Sequence, residues 1–222
     1  MSRVLYHAQF CPFSRKIIFG MREKKLPFQE VIEELGSPSS RLLSLNPWGE
    51  LPVLVDQQLV CANSYVISEY LEEVYALPVL MGESPAYRSE VRRLMSWFDK
   101  IFYQDVFWCL FYEKVLKYKL KGNPPDTRVL KKGYTLLNEH MEYVEQLAET
   151  HHFLAGKNFS WADITAAAHI SCIDYLGDVA WKNFPMAKEW YTKIKSRPAF
   201  RPFLSQMAFG VRSCEHYGSL DF

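Results

Sequence analysis

The feature that most constrains this chain is a change of pattern at residues 77–86, "LPVLMGESPA", where two prolines and a glycine interrupt every apolar period. Before it, short apolar runs of strand type alternate with helical patterns. After it, every long pattern is helical. A chain divided in this way folds as an α/β part followed by an all-α part, and 222 residues suffice for two small domains or one large one. We expect domains at 1–78 and 87–210, a linker at 79–86 and a C-terminal tail at 211–222.

Within the first part, "RVLYH" (3–7) reads as a buried strand, and Phe13, Ile17, Ile18 and Met21 fall on one face of a helix closed by "KKLP". "FQEVIE" (28–33) is a second strand and "SSRLLSLNP" (39–47) a short helix. Residues 51–62 form two strands around the turn Asp56-Gln57-Gln58. Ser64 opens a further helix on which Ile67, Tyr70, Leu71 and Val74 keep helical spacing. The order βαβαββα is thioredoxin-like. The second part carries amphipathic patterns near 87–120, 126–149, 160–175 and 185–209, with "KGNPPD" as the clearest break. In "NFSWADI", Ser160 and Asp163 form a capping box, and Phe159 can staple to Ile164.

Charge sets the class of partner. The 26 basic and 25 acidic residues leave +1, so no overall field favours nucleic acid or an anionic membrane. Five scattered cysteines without C-x-x-C spacing fit a reducing compartment and give no zinc or dithiol pattern. No signal peptide and no membrane span are expected, which points to the cytoplasm. No metal is expected either; His151-His152 lack partners at ligand spacing and read as loop residues.

"QFCPFSRK" (9–16) is the chief chemical candidate. Pro12 fits the first helical position and so makes Cys11 the N-cap, where backbone N–H groups and the helix dipole favour a thiolate. Arg15 and Lys16 add positive charge, so the thiol pKa should be lowered. The alternative is a small apolar filler. Ser14 stands where a resolving thiol would be, which argues against dithiol chemistry. Leu51-Pro52 opens a strand pattern, either as a cis bond that turns the Leu51 backbone outward or as an edge-strand proline. Ser64, at a helix start, can hold a carboxylate or simply cap.

"QFCPFS", "NPWGELPVL" (46–54), "NSYVISEYLEE" (63–73) and "FLAGKNFSWADITAAAH" (153–169) together resemble the successive signatures of the cytosolic glutathione S-transferase superfamily. That resemblance implies a thioredoxin-like glutathione-binding domain, an all-helical domain and a homodimer. By position it implies Cys11 as the catalytic residue, with Phe13, Leu51, Pro52, Asn63 and Ser64 around glutathione. Two places depart from the family pattern. Asn63 replaces the usual Glu or Gln, and Glu50 stands where a residue friendly to the glycyl carboxylate is common, so weak or absent glutathione binding is the expectation.

The rings Trp97, Phe98, Phe102, Tyr103, Phe107, Trp108, Phe111 and Tyr112 cover more than one helical face. Most belong to core packing, and we assign Tyr103, Phe107 and Trp108 to a second-substrate cleft. "LFYEKVLK" (110–117), "HISCIDYLGDVAW" (169–181), "EWYTKIKSRPAFRPFL" (189–204) and "HYGSLDF" (216–222) resemble a narrower bacterial branch of the superfamily that binds the tubulin-like division GTPase FtsZ. That likeness implies a non-classical division factor. His216, Tyr217, Leu220, Asp221 and Phe222 would form a partner-binding tail, free of every expected helix and strand, so its removal should leave the fold intact. The alternative is an active transferase or glutathione-dependent thiol transferase using Cys11.

Overall fold

A computed structural model describes residues 3–220, and the chain divides into two compact units, Met1–Leu80 and Met81–Phe222. In the first unit β1 (Arg3–His7), α1 (Pro12–Glu23), β2 (Gln29–Ile32), α2 (Ser40–Leu45), β3 (Val53–Asp56), β4 (Leu59–Ala62) and α3 (Ser64–Val74) follow the expected order. The sheet order is β2-β1-β3-β4. β1 and β2 run parallel with Val4 opposite Gln29, which needs a crossover, and α1 supplies it. The β1–β3 and β3–β4 pairs are antiparallel, the latter a hairpin turned at Gln57 with φ of 58°.

Strand alternation sorts the two faces of the sheet. Tyr6 and Val53 bury against Leu42 of α2, with Val4, Val31, Leu45, Leu51, Val55 and Ala62 around them. Leu5 and Leu54 point the other way and are fully buried on the side of α1 and α3, which pack on one another. The Lys24 ammonium pairs with Glu72 at 2.7 Å and donates to the carbonyls of Tyr75 and Pro78, each at 2.8 Å, fastening the end of this unit.

The second unit opens with α4 (Pro85–Ser96), which continues without a break through the π-helical segment Trp97–Leu116 into α5 (Lys117–Lys121). α4 starts at Pro85 rather than at 87 because Ser84 caps it, accepting from Tyr87 N–H at 3.2 Å. α6 (Thr127–Thr150) returns antiparallel and presses on the π-helical segment at Gly133, where an added Cβ would sit 2.7 Å from Cys109 Cβ. α7 (Trp161–Asp174) corrects the expected amphipathic stretch: all fourteen of its residues are buried, so it has no solvent face. Its capping box is formed, with Asp163 accepting from the Ser160 N–H at 3.0 Å, from Leu154 N–H at 2.9 Å and from Trp190 Nε1 at 2.9 Å. Phe159 rests on the Phe153 ring at 5.6 Å, with the Arg197 guanidinium 3.8 Å from its centre.

The helix expected over 185–209 is shorter than that pattern. α8 spans Pro185–Lys195 and is followed only by a 3₁₀ turn at Arg201–Ser205. Pro198 and Pro202 lack the amide a continuing helix needs.

Candidate functional site

The register of the sheet gathers one end of the first unit. Tyr6 pairs with Val53 and Val53 with Ala62, so the segment after β1, the start of β3 and the residue after β4 lie at the same edge. Asn63 N–H donates to the Pro52 carbonyl at 3.2 Å, tying two of these together. Cys11 follows β1 toward that edge. It is half-buried and forms the N-cap of α1 with extended backbone (φ −81°, ψ 115°), with Pro12 at the first helical position and no capping hydrogen bond from its side chain. The residue therefore stands at the helix start, where the first backbone N–H groups lack intrahelical partners.

Phe10, immediately before Cys11, holds a left-handed φ of 54° while fully buried. A non-glycine residue in that region costs of order 1–3 kcal/mol and persists only where its surroundings dictate it. Here the Arg15 guanidinium lies 4.0 Å over the Phe10 ring, and Ser14 Oγ accepts from Ala8 N–H at 3.3 Å. Arg15 and Lys16, expected as charges near the thiol, are both buried.

Phe13 and Leu51 are half-buried, and Pro52 is buried after a cis bond from Leu51. The cap of α3 is Asn63 rather than Ser64: the Asn63 side-chain oxygen accepts from Tyr65 N–H at 2.8 Å, and its φ of 82° turns the chain into the helix. Ser64 becomes the first helical residue and is buried. Glu50 is exposed, its carbonyl held by Asn46 Nδ2 at 3.0 Å in a turn that presents Trp48 to solvent.

The aromatic run of the second unit separates into core and surface. Phe107 is buried and stacks on Phe111 at 5.1 Å, which corrects its assignment to a cleft wall. Tyr103 stacks on Phe107 at 5.0 Å and is half-buried, and exposed Trp108 lies 4.3 Å from Tyr112. Only Tyr103 and Trp108 of that trio present surface.

The tail requires the largest correction. Tyr217 is fully buried, edge-on to Tyr175 at 5.0 Å, and its hydroxyl donates to the Phe203 carbonyl at 3.2 Å. It is core, not an exposed anchor. His216 Nε2 meets buried Asp174 at 2.8 Å, and Lys195 Nζ donates to the His216 carbonyl at 3.2 Å. Asp174 also accepts from Trp181 Nε1 at 2.7 Å and has Lys195 Nζ 3.9 Å away, so three separate stretches converge on one carboxylate. Leu220 is half-buried; Asp221 and Phe222 lie outside the described residues. Burial raises the Cys214 thiol, as it does those of Cys61 and Cys109. Among the described residues, no group of three or more His, Cys, Asp or Glu side chains could hold a metal ion, and no helix is long and apolar enough to cross a membrane.

Family models agree with this architecture: the glutathione S-transferase N-terminal domain matches residues 5–85 and the C-terminal domain residues 111–207. The chain belongs to the glutathione S-transferase family. Within it, FtsZ-localized protein A of Caulobacter vibrioides is 42% identical over 226 residues, covering 100% of this chain and 99% of that protein. The solved structure of FzlA from C. crescentus superposes with a TM-score of 0.97 at 42% identity, covering 100% of both chains. A glutathione S-transferase from Rhodospirillum rubrum F11 superposes at 0.96 with 44% identity, covering 99% of this chain and 100% of that one. The glutathione S-transferase frame thus extends through the tail, which the C-terminal family model does not reach.

Proposed function

We propose that this chain is an FtsZ-binding cell-division factor that uses the glutathione S-transferase fold as a scaffold, acting in the cytoplasm as a homodimer. The observation that carries this reading is the 42% identity to FtsZ-localized protein A across the whole of this chain and 99% of the other. The glutathione end of the first unit supports it. The Asn63 oxygen already accepts from Tyr65 N–H, and exposed Glu50 adds negative charge beside the edge where an anionic peptide would lie. Glutathione is therefore at most a weak ligand. Leu59, Val60, Tyr65 and Val66, exposed on β4 and α3, supply apolar area for the dimer. Leu220 to Phe222 are the tail's partner contacts, since Tyr217 is occupied in the core.

Co-sedimentation with FtsZ filaments tests the reading. The full chain should pellet with filaments, and a chain ending at Ser219 should pellet less while keeping its melting temperature. Absence of pelleting by the full chain rejects FtsZ binding. One observation favours a second reading: Cys11 at the helix N-cap suits a thiolate nucleophile that attacks the glutathione sulfur of a mixed disulfide, forming a Cys11–glutathione disulfide as the S–S bond of the substrate breaks and its other sulfur leaves as a thiolate. Calorimetric titration with glutathione, followed by turnover of a mixed disulfide that is abolished by Cys11→Ser, would establish that enzyme.

A further inference from the structure

The near-neutral balance of the whole chain hides a local concentration of charge. Residues 113–132 hold seven basic and two acidic residues, a net of +5 in a chain whose total is +1, so the remainder is acidic. These residues form the tip where α5 leaves the long helix and α6 returns. Both acids are engaged by the protein's own groups, Glu113 buried and Asp126 partly exposed. Glu113 is buried and accepts from Asp126 N–H and from Lys117 Nζ, each at 2.8 Å, bracing the loop, while Asp126 caps α6 through Arg128 N–H at 2.8 Å. Lys119, Lys121, Lys131 and Lys132 are exposed, and between them Tyr118 is 69% and Leu120 41% exposed.

Lys119 Nζ lies 4.2 Å over the Phe209 ring, on a tight turn closed by Val211 N–H to the Ala208 carbonyl at 2.7 Å and held by the Tyr175 hydroxyl, which accepts from Ala208 N–H at 3.0 Å. We propose that this tip is a docking surface for an acidic polypeptide segment of the filament partner, with Lys119, Lys121, Lys131 and Lys132 meeting its carboxylates and Tyr118 and Leu120 its apolar side chains. The inference rests on the FtsZ reading above and gives it a surface separate from the tail. Charge complementarity selects the occupant: four exposed ammonium groups steer an acidic chain and set its orientation, and an exposed aromatic supplies contact area. A lipid surface is less suited. On α5 lysines alternate with Tyr118 and Leu120, which stand about 200° apart around the helix, so no single apolar face can lie in a membrane.

The test is co-sedimentation of the full chain with FtsZ filaments at low and high salt, using Lys119→Glu with Lys121→Glu, Lys131→Glu with Lys132→Glu, and Lys157→Glu as an exposed control. Circular dichroism and melting temperature confirm that each variant is folded. We expect each pair to weaken binding at least tenfold, with a shallower salt dependence, and the control to bind as the parent does. Parent and paired variants pelleting equally would overturn the docking surface while leaving FtsZ binding in place. A parent that does not pellet would reject both readings. Flotation with phosphatidylglycerol vesicles and titration with a single-stranded oligonucleotide form the remaining arms. Parent binding to either that is stronger than to filaments, and lost in the paired variants, would overturn the acidic polypeptide as occupant.

Discussion

Replacing Tyr217 with alanine should unfold much of the stability of the helical unit, although the residue lies outside every helix and strand. The side chain is wholly buried, its ring is edge-on to Tyr175 at 5.0 Å, and its hydroxyl donates to the Phe203 carbonyl. Truncating a fully buried aromatic to alanine costs about 3–5 kcal/mol, since the contacts are lost and the space is only partly refilled. Tyr217→Phe removes only the hydroxyl. The Phe203 carbonyl keeps the Gln206 N–H at 3.2 Å, so that change should cost about 1 kcal/mol. At about 2–4 °C per kcal/mol for a chain of this size, the alanine variant should melt roughly 10 °C lower and the phenylalanine variant a few degrees lower. Tryptophan fluorescence reports the right region, because five of the six tryptophans follow residue 81. An alanine variant within about 0.5 kcal/mol of the parent, as surface positions behave, would refute the packed tail.

Alkylation at neutral pH followed by peptide mapping should mark Cys11 first, with Cys61, Cys109 and Cys214 lagging because burial raises their thiols; equal rates at Cys11 and Cys109 would reject that order. Gly133→Ala should destabilise by about 1–2 kcal/mol by urea unfolding, the added methyl meeting Cys109 Cβ at 2.7 Å and outweighing the roughly 1 kcal/mol that alanine gives a helix elsewhere. His140 is held below its ordinary value by burial, which the carboxylate of Asp105 at 3.2 Å only partly offsets. The unfolded chain then takes up that proton first, so stability falls as pH drops from about 6.5 toward the lower folded value. Urea midpoints at pH 7.5 and 5.0 should therefore fall less in His140→Gln than in the parent, and identical slopes would remove His140 from the account.

What the sequence disclosed follows the range of the interactions involved. The Cys11-Pro12 helix start, the Ser160/Asp163 box and the β3–β4 hairpin depend on neighbours within a few residues, and each stands where local pattern put it. Asn63 and Ser64 are both good caps, and periodicity could not choose between adjacent positions; the positive φ that Asn tolerates decides for Asn63. Apolar residues keep recurring beyond Lys195, so the pattern runs past the point where Pro198 and Pro202 stop the helix. The left-handed Phe10 had no local signal at all. Nor had the burial of Tyr217, which depends on Tyr175, more than forty residues earlier at the C-terminus of a helix whose pattern reads as amphipathic.

Asp174 has a bearing on how the chain is made. Its carboxylate is wholly buried and gathers Trp181 and His216 on Oδ1, with the Lys195 ammonium 3.9 Å from Oδ2, so its partners arrive one after another as synthesis proceeds. A product released early, before residues 214–217, would leave that charge short of its last partner and the Tyr175 ring uncovered. The turn at 214–217 is thus a keystone for the helical unit rather than an appendage to it.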